Sequence, residues 1–294
     1  MILAALMQAF ISATIKSVSS TTPLSLQVAF YYLIPVLCFL PLFFKNGFST
    51  YKPKKFWVHF IRGFFSISAV CCVFYTIKYI PLGLSASLFN MIPFFVPIIA
   101  HFFLKEKVSL KTYMGLVVAF PGILLLVNPK VSSCSTIHVM IGLSAAILMA
   151  TSMVLLKYLV REKESVNQIV FNQYSSCSLI AVLLMALEAI FNPSSFSLTK
   201  MQMNNTTIFL LLGLGVLSIG TQYCVSKAAQ YMPVSQFAPY LYLSVPISSM
   251  LGLLFWGQNL SVAMMIGSAL VFAGLCICSM REKVSALGSR GANS

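Results

Sequence analysis

The chain contains no aspartate, and its 294 residues include only five glutamates: Glu106, Glu162, Glu164, Glu188 and Glu282. Charged residues of both signs make up 8% of the sequence. A soluble globular domain carries about 25%, so water is not the main solvent for this surface. The missing aspartate also disfavours chemistries that cluster carboxylates around Mg²⁺, such as prenyl transfer. Cysteine is present but unpatterned. Of Cys38, Cys71, Cys72, Cys134, Cys177, Cys224, Cys276 and Cys278, all but Cys134 lie in apolar runs, and no CxxC occurs. They read as small buried hydrophobes rather than disulfides or metal ligands. No HExxH, HxxEH or GxSxG is found, so His59, His101 and His138 give little support to a membrane enzyme. No metal and no cofactor are expected.

Apolar residues are plentiful: 59% of the chain is hydrophobic and 13% aromatic. A bilayer-crossing helix needs about 20 mainly apolar residues. Ten stretches qualify, at about 2–18, 24–44, 57–79, 83–104, 110–127, 134–157, 166–191, 207–229, 234–255 and 261–280. Turn chemistry separates them at Thr22-Pro23, Lys52-Pro53, Ile80-Pro81, Asn128-Pro129, Asn192-Pro193 and Met232-Pro233. No basic residue precedes the first stretch, so it reads as a span rather than a cleaved signal. The expected fold class is an all-α integral membrane protein with ten transmembrane helices.

The formal charge of +14 is a topology signal. With both termini cytoplasmic, 14 basic residues fall inside: Lys45, Lys52, Lys54, Lys55, Lys105, Lys107, Lys111, Lys157, Arg161, Lys163, Lys227, Arg281, Lys283 and Arg290. Only four, Lys16, Lys78, Lys130 and Lys200, fall outside, and Arg62 lies within a span. The bias orients the chain with both ends in the cytoplasm. Charge spread over short loops beside spans argues against a nucleic-acid partner.

The two halves repeat. At an offset of 152, Gly63, Ser66 and Ile67 match Gly215, Ser218 and Ile219. Tyr79 and Pro81 match Tyr231 and Pro233, and Gly115, Phe120 and Gly122 match Gly267, Phe272 and Gly274. Pro93 matches Pro246 with a slip of one. Five spans per half is an odd number, so the copies insert upside down relative to each other, as in secondary transporters. The repeats are 1–130 and 131–283, with a short cytoplasmic tail at 284–294.

The segments LFNMIPFFVPIIAHFFLKEKVSLKTYMGLVVAFPGILLL and YLSVPISSMLGLLFWGQNLSVAMMIGSALVFAGLCI resemble the EamA-type ten-helix branch of the drug/metabolite transporter superfamily. That pattern runs from a mid-helix Pro to a loop Glu and a Gly-containing span. Here it reads Pro93, Glu106, Gly115 and Gly122, then Pro246, Gln258, Gly267 and Gly274. Gln258 departs from the usual acid, and Tyr32 stands where the family often has Arg. HFIRGFF, FYTIKYIPL and HFFLKEK also resemble the S-adenosylmethionine uptake transporters of obligate intracellular bacteria. The resemblance implies a multi-pass protein of the bacterial inner membrane. Spans 3, 4, 8 and 9, with 1 and 6, would enclose its central substrate cavity.

Polar groups inside spans are costly and therefore informative. Asn90, Phe94, Pro97 and His101 share a stripe at helical spacing, and Tyr242, Pro246 and Ser249 form its counterpart beside Tyr240. Arg62, Ser66 and Thr76 align in the third span, Ser218, Thr221 and Gln222 in the eighth, and Gln8 and Ser12 in the first. The candidate substrate-binding set is Arg62, Ser66, Asn90, Phe94, His101, Ser218, Gln222, Tyr240 and Tyr242, with Pro93, Pro97 and Pro246 as hinges. Each has a structural alternative. The prolines are packing kinks, Asn90 joins helices, His101 is interfacial, and Arg62, roughly 9 Å from its span's midpoint, snorkels to headgroups.

No carboxylate falls near a span's centre, so exchange, facilitated diffusion or a proton step through His101 is expected. Aromatic faces at Phe94, Tyr240 and Tyr242 would receive a cation, and Arg62 a carboxylate. The leading function is alternating-access transport of a small polar metabolite, amino acid-like or nucleoside-like, most specifically S-adenosylmethionine uptake or exchange. Export of amino acids or drugs and lipid-carrier flipping are the alternatives. The expected partners are a small-molecule substrate and the lipid bilayer.

Overall fold

The computed structural model describes residues 1–47, 51–105, 110–127, 135–191, 204–231, 238–258 and 262–279. The 284–294 tail, Glu106, Glu282 and the turns Asn128-Pro129, Asn192-Pro193 and Met232-Pro233 lie outside the described residues. Within them all regular structure is helical. The helices are α1 (Ile2–Val18), α2 (Leu24–Asn46), α3 (Phe56–Tyr79), α4 (Leu82–Phe89), α5 (Ile92–Leu104), α6 (Leu110–Val127) and α7 (Thr136–Arg161). They continue as α8 (Val166–Phe191), α9 (Asn205–Tyr231), a 3₁₀ helix (Ala238–Leu243), α10 (Ser244–Trp256) and α11 (Val262–Ser279).

Among the described residues, six helical stretches are long and apolar enough to cross a membrane: α2, α3, α4 with α5, α7, α8 and α9. The apolar helices α1, α10 and α11 are shorter. Large apolar side chains cover the outside; Phe102 and Phe209 are each 75% exposed. Water would penalise such a surface, whereas hydrocarbon does not.

Two breaks position the site. The helical register stops at Asn90-Met91, between α4 and α5, and Pro93 falls in the first turn of α5. The second break is the 3₁₀ turn ahead of α10, where Pro246 is the third residue. A proline there forfeits little, because first-turn N–H groups have no intrahelical partner. Pro93 therefore follows a break rather than kinking a continuous helix, while Pro97 sits inside α5. The two breaks touch: Asn90 Nδ2 donates to Ser244 Oγ at 2.9 Å and to Ala86 O at 2.8 Å.

Two lysine contacts occupy equivalent places, one in each half of the sequence. Lys16 Nζ donates to Ile77 O (2.6 Å) and Lys78 O (3.3 Å), satisfying carbonyls at the C-terminus of α3. Lys157 Nζ does the same for Ala229 O at the C-terminus of α9, at 3.0 Å. A cation there meets both unpaired carbonyls and the negative end of the helix dipole. The helices α6 and α11 form a close pair around glycines. A Cβ on Gly122 would lie 2.6 Å from Gly267 O, and one on Gly274 would strike Gly115 O. Gly257, in the left-handed region at φ 60°, ends α10. Gln258 then turns back, and its Oε1 accepts from Leu82 N at the start of α4 (2.9 Å). The residue that departs from the family acid thus caps a helix in the other half.

Candidate functional site

A small cavity lies where α1, α3, α7, α9 and the two helix breaks converge. Gln8, Tyr31, Phe74, Asn90, Thr221 and Gln222 give it aromatic and polar walls, and Leu241 lines it from the 3₁₀ turn. Its volume is about 50 Å³. Met149, Met153, Gln222 and Val225 also line an adjacent niche of about 10 Å³ reached by Arg62, Ser152 and Gln173, and the two together mark one buried path. About 10–15 Å³ on this measure admits one water. The site as seen has room for only a few waters, and a metabolite requires it to widen.

A polar network stiffens the niche. Gln222 Nε2 donates to Gln173 Oε1 at 2.7 Å, and Gln173 Nε2 to Ser66 Oγ at 2.9 Å. The Ser66 hydroxyl also meets Tyr32 Oη at 3.3 Å, and Ser178 Oγ donates to Tyr32 O at 2.9 Å. Four helices, α2, α3, α8 and α9, are thereby tied together. Such networks in low dielectric specify one arrangement when every member is satisfied.

Two groups on this path are not satisfied. Arg62 is 1% exposed, its Nη1 makes only a 3.5 Å contact to Ile169 O, and its Nε has no partner. Among the described residues no carboxylate comes within 4.0 Å of it. Asn90 Oδ1, at the other end, is buried without a donor. Its Nδ2 is identified by donation to a carbonyl, so Oδ1 must accept. One end of the path therefore lacks an acceptor and the other a donor. Buried groups left so cost about 1–3 kcal/mol each, more when charged.

The sequence-predicted residues divide into groups. Arg62, Asn90 and Gln222 line the cavity or its niche, and Ser66 stands behind them in the network. Ser218 instead donates to Gly215 O and Tyr31 O. Phe94 packs edge-on against Phe95, outside the cavity lining. His101 is exposed beside Phe102, because the helical stripe that joined it to Asn90 is interrupted at the break. A proton step through a cavity-facing His101 is therefore not what this geometry offers. Tyr240 is 49% exposed. Tyr242 stacks on Phe272 (5.8 Å between centroids) in a separate apolar groove of about 440 Å³ with Pro246 and Ser249. The 3₁₀ turn changes the register, so Leu241 rather than its tyrosine neighbours reaches the cavity.

Gln173 lies on α8, outside the spans expected to enclose the cavity; the available signal is the polar run Asn172-Gln173-Tyr174-Ser175-Ser176 inside a spanning stretch. The pair His59–Glu164 had no signal at all, since REKES reads as a solvated loop. His59 Nε2 lies 2.6 Å from Glu164 Oε2, and both side chains are buried. The other two histidines are elsewhere: His138 stacks on Tyr79 at 4.7 Å, and His101 is at the surface. The three do not form one site.

A model described as the EamA-like transporter family matches residues 1–128 and 136–280. The "Pseudopaline exporter CntI" of Pseudomonas aeruginosa is 26% identical over 282 residues, 96% of this chain and 95% of its own. The "Riboflavin transporter" of Brucella anthropi is 25% identical over 260 residues, 88% of each chain. The "S-adenosylmethionine uptake transporter" of Rickettsia felis is 24% identical over 261 residues, 88% of this chain and 84% of its own. A solved crystal structure aligns over 94% of this chain and 96% of its own with a TM-score of 0.62 at 19% identity, a likeness of fold.

Proposed function

Because this chain belongs to the EamA-like transporter family, we propose that it is a secondary transporter that carries a small metabolite with both a carboxylate and an amino group. It is a multi-pass membrane protein whose family moves small molecules across the bilayer. The substrate-facing groups are Arg62 for the carboxylate and Asn90 Oδ1 for the ammonium, with Gln222 and Ser66 supporting them. The observation that carries this reading is the orphaned donor and orphaned acceptor on one buried path. S-Adenosylmethionine has both groups, and a relative bearing that name matches most of the chain. It is the first substrate to test.

In this reading the chain has ten spans in two inverted repeats, both termini in the cytoplasm, and sits in the bacterial inner membrane. The equivalent lysine caps within each half and the crossed glycine contacts support the repeat. The breaks at Asn90 and ahead of Ser244 put irregular backbone beside a cavity, where spanning proteins tolerate it. Transport proceeds by alternating access, with the breaks near Pro93 and Pro246 as flexible points. Export is a second reading, favoured by the exporter that matches 96% of the chain.

The test is counterflow in proteoliposomes with a panel of amino acids, S-adenosylmethionine, riboflavin and nucleosides. Exchange of an amino-carboxylate, competed by its own class, is expected. Exchange only of compounds lacking a carboxylate would overturn the substrate assignment.

A further inference from the structure

A pocket of about 320 Å³ lies at the Lys16 end, outside the central cavity. Ligand sites run from roughly 300 to 1,000 Å³, so it has room for a small metabolite where the cavity of about 50 Å³ has not. Its walls come from the α1–α2 connection, the start of α2, the last turns of α3 and the last turn of α8. They include Thr22, Gln27, Phe74, Lys78, Tyr79 and Glu188. Phe74 lines the central cavity as well.

The lip of this pocket is bonded to itself. Ser19 Oγ donates to Lys16 O at 2.9 Å, Thr21 Oγ1 to Val18 O at 3.2 Å and Thr22 Oγ1 to Val18 O at 2.8 Å. These bonds satisfy carbonyls at the end of α1. Gln27 Nε2 donates to Thr22 O and Thr22 Oγ1, each at 3.1 Å. Donation to a carbonyl identifies that atom as the nitrogen, so Oε1 is the acceptor. Gln27 is 2% exposed, and its Oε1 is buried without a donor. An orphaned acceptor calls for an N–H or O–H. Two charges of opposite sign border the same pocket, Lys78 on α3, exposed, and Glu188 on α8, half-buried. Among the described residues neither has an ion-pair partner within 4.0 Å. Lys78 Nζ lies instead 5.7 Å from the Tyr79 ring centre.

Resting on the transport reading above, we propose that this pocket is a second substrate site, which takes an amino acid-like zwitterion ahead of its passage past Phe74. An ammonium has three N–H donors, and Gln27 Oε1 and the Glu188 carboxylate accept from it. The ligand's carboxylate meets Lys78. The pocket's two charges match the ligand's two, so neither is left facing a like charge. A dicarboxylate or a diamine brings a second charge of one sign and lacks that match. A neutral solute leaves both side chains to water. The anion partner here is a lysine point charge, whereas the central path offers the planar fork of Arg62. Selection by charge thus precedes the fit to the central cavity.

The test is equilibrium binding in detergent, using in radiolabelled form the panel compound that the wild-type protein exchanges. Two molecules per chain are expected at saturation. Arg62→Met should weaken the central site and leave the second within about twofold. Lys78→Met and Glu188→Gln should each weaken the second site by up to about fivefold, the range of partly exposed charge pairs, and leave the central site within about twofold. Lys78→Met should also equalise the second site's affinity for the compound and for its methyl ester, which loss of a merely structural lysine would not do. One molecule per chain overturns the second site and leaves the transporter standing. Two molecules per chain with an acid-to-ester ratio unmoved by Lys78→Met also overturn it. No binding and no exchange of any panel compound overturns both readings. If the variants fail to fold, the wild type decides: its second site should bind the methyl ester and the N-acetyl derivative more weakly than the parent compound, and equal binding of all three overturns the proposal.

Discussion

Arg62 offers a test in which stability and function should move in opposite directions. Its guanidinium is 1% exposed and has no carboxylate within 4.0 Å among the described residues. Such a charge is expensive in the empty protein. Replacing buried ionic groups by apolar ones of similar volume is often neutral or stabilising by about 1–4 kcal/mol. Arg62→Met keeps much of the length and removes the charge. It should therefore leave the thermal midpoint of the substrate-free protein unchanged or raise it. A hydrogen bond to a charged group is worth about 1.5–3 kcal/mol. The same variant should accordingly lose about 10- to 150-fold in affinity for a carboxylate substrate, read as half-saturation of counterflow. The methyl ester of that substrate, which offers Arg62 no anion, should bind both proteins within a factor of a few. Arg62→Lys retains a point charge without the planar fork and should fall between. Two results would refute the reasoning: a marked fall in the midpoint without substrate, or an equal loss for acid and ester.

The remaining predictions concern the breaks and the packing. Asn90→Ala removes the bonds to Ser244 and Ala86 and the free Oδ1; substrate affinity should fall about tenfold or more, and unchanged affinity in both Asn90→Ala and Arg62→Met would abandon this cavity. Gly274→Ala puts a Cβ against Gly115 O and should cost about 1–3 kcal/mol of stability. Gly213→Ala, with nothing within 4 Å of its Cβ, should gain about 0.5–1 kcal/mol; melting curves in detergent separate the two. Gln258→Ala should lose about 1 kcal/mol with the cap on Leu82 N, whereas Gln258→Glu, which restores the family's acid, should keep the cap and the melting temperature.

Element positions were legible because apolar length and turn chemistry are written residue by residue. The stretches at 24–44, 57–79 and 166–191 fall on α2, α3 and α8 within two residues at each end. Arg62, Asn90 and Gln222 were legible for a different reason: polar side chains in apolar runs have few cheap places to go. What failed was anything that depended on continuous helical register through a break. The stripe linking Asn90 to His101 presumed 3.6-residue periodicity across Met91, whereas Tyr242, Pro246 and Ser249 do share a face, but it is that of the separate apolar groove and not of the cavity. The prolines mark both places, but a proline within a helix and one just after a break look alike in sequence. Glu164 was unreadable for the opposite reason. It lies in a charged connection, and only tertiary packing of residues 51–54 against that connection buries it.

The closures at the two ends of the cavity are unequal, and this bears on which side opens first. Towards the Lys16 end, Phe74 lines both the cavity and an outer pocket of about 320 Å³ bounded by Thr22, Gln27, Lys78 and Glu188. Phe74, edge-on against Tyr31 at 5.5 Å, is a wall common to both. An aromatic pair contributes about 0.5–1.5 kcal/mol beyond its buried area. Towards the Glu164 end the barrier is deeper. It comprises the Tyr32–Ser66–Gln173–Gln222 network, then Arg62, then the His59–Glu164 pair with the bonds from residues 51–54. Several buried polar contacts must break together there, each leaving desolvated partners behind. Rotating one ring is the smaller step. Opening at the Lys16 end is therefore the smaller step for this conformation. A substrate entering past Phe74 would then reach the cavity and Arg62 before the deeper barrier at the Glu164 end had opened.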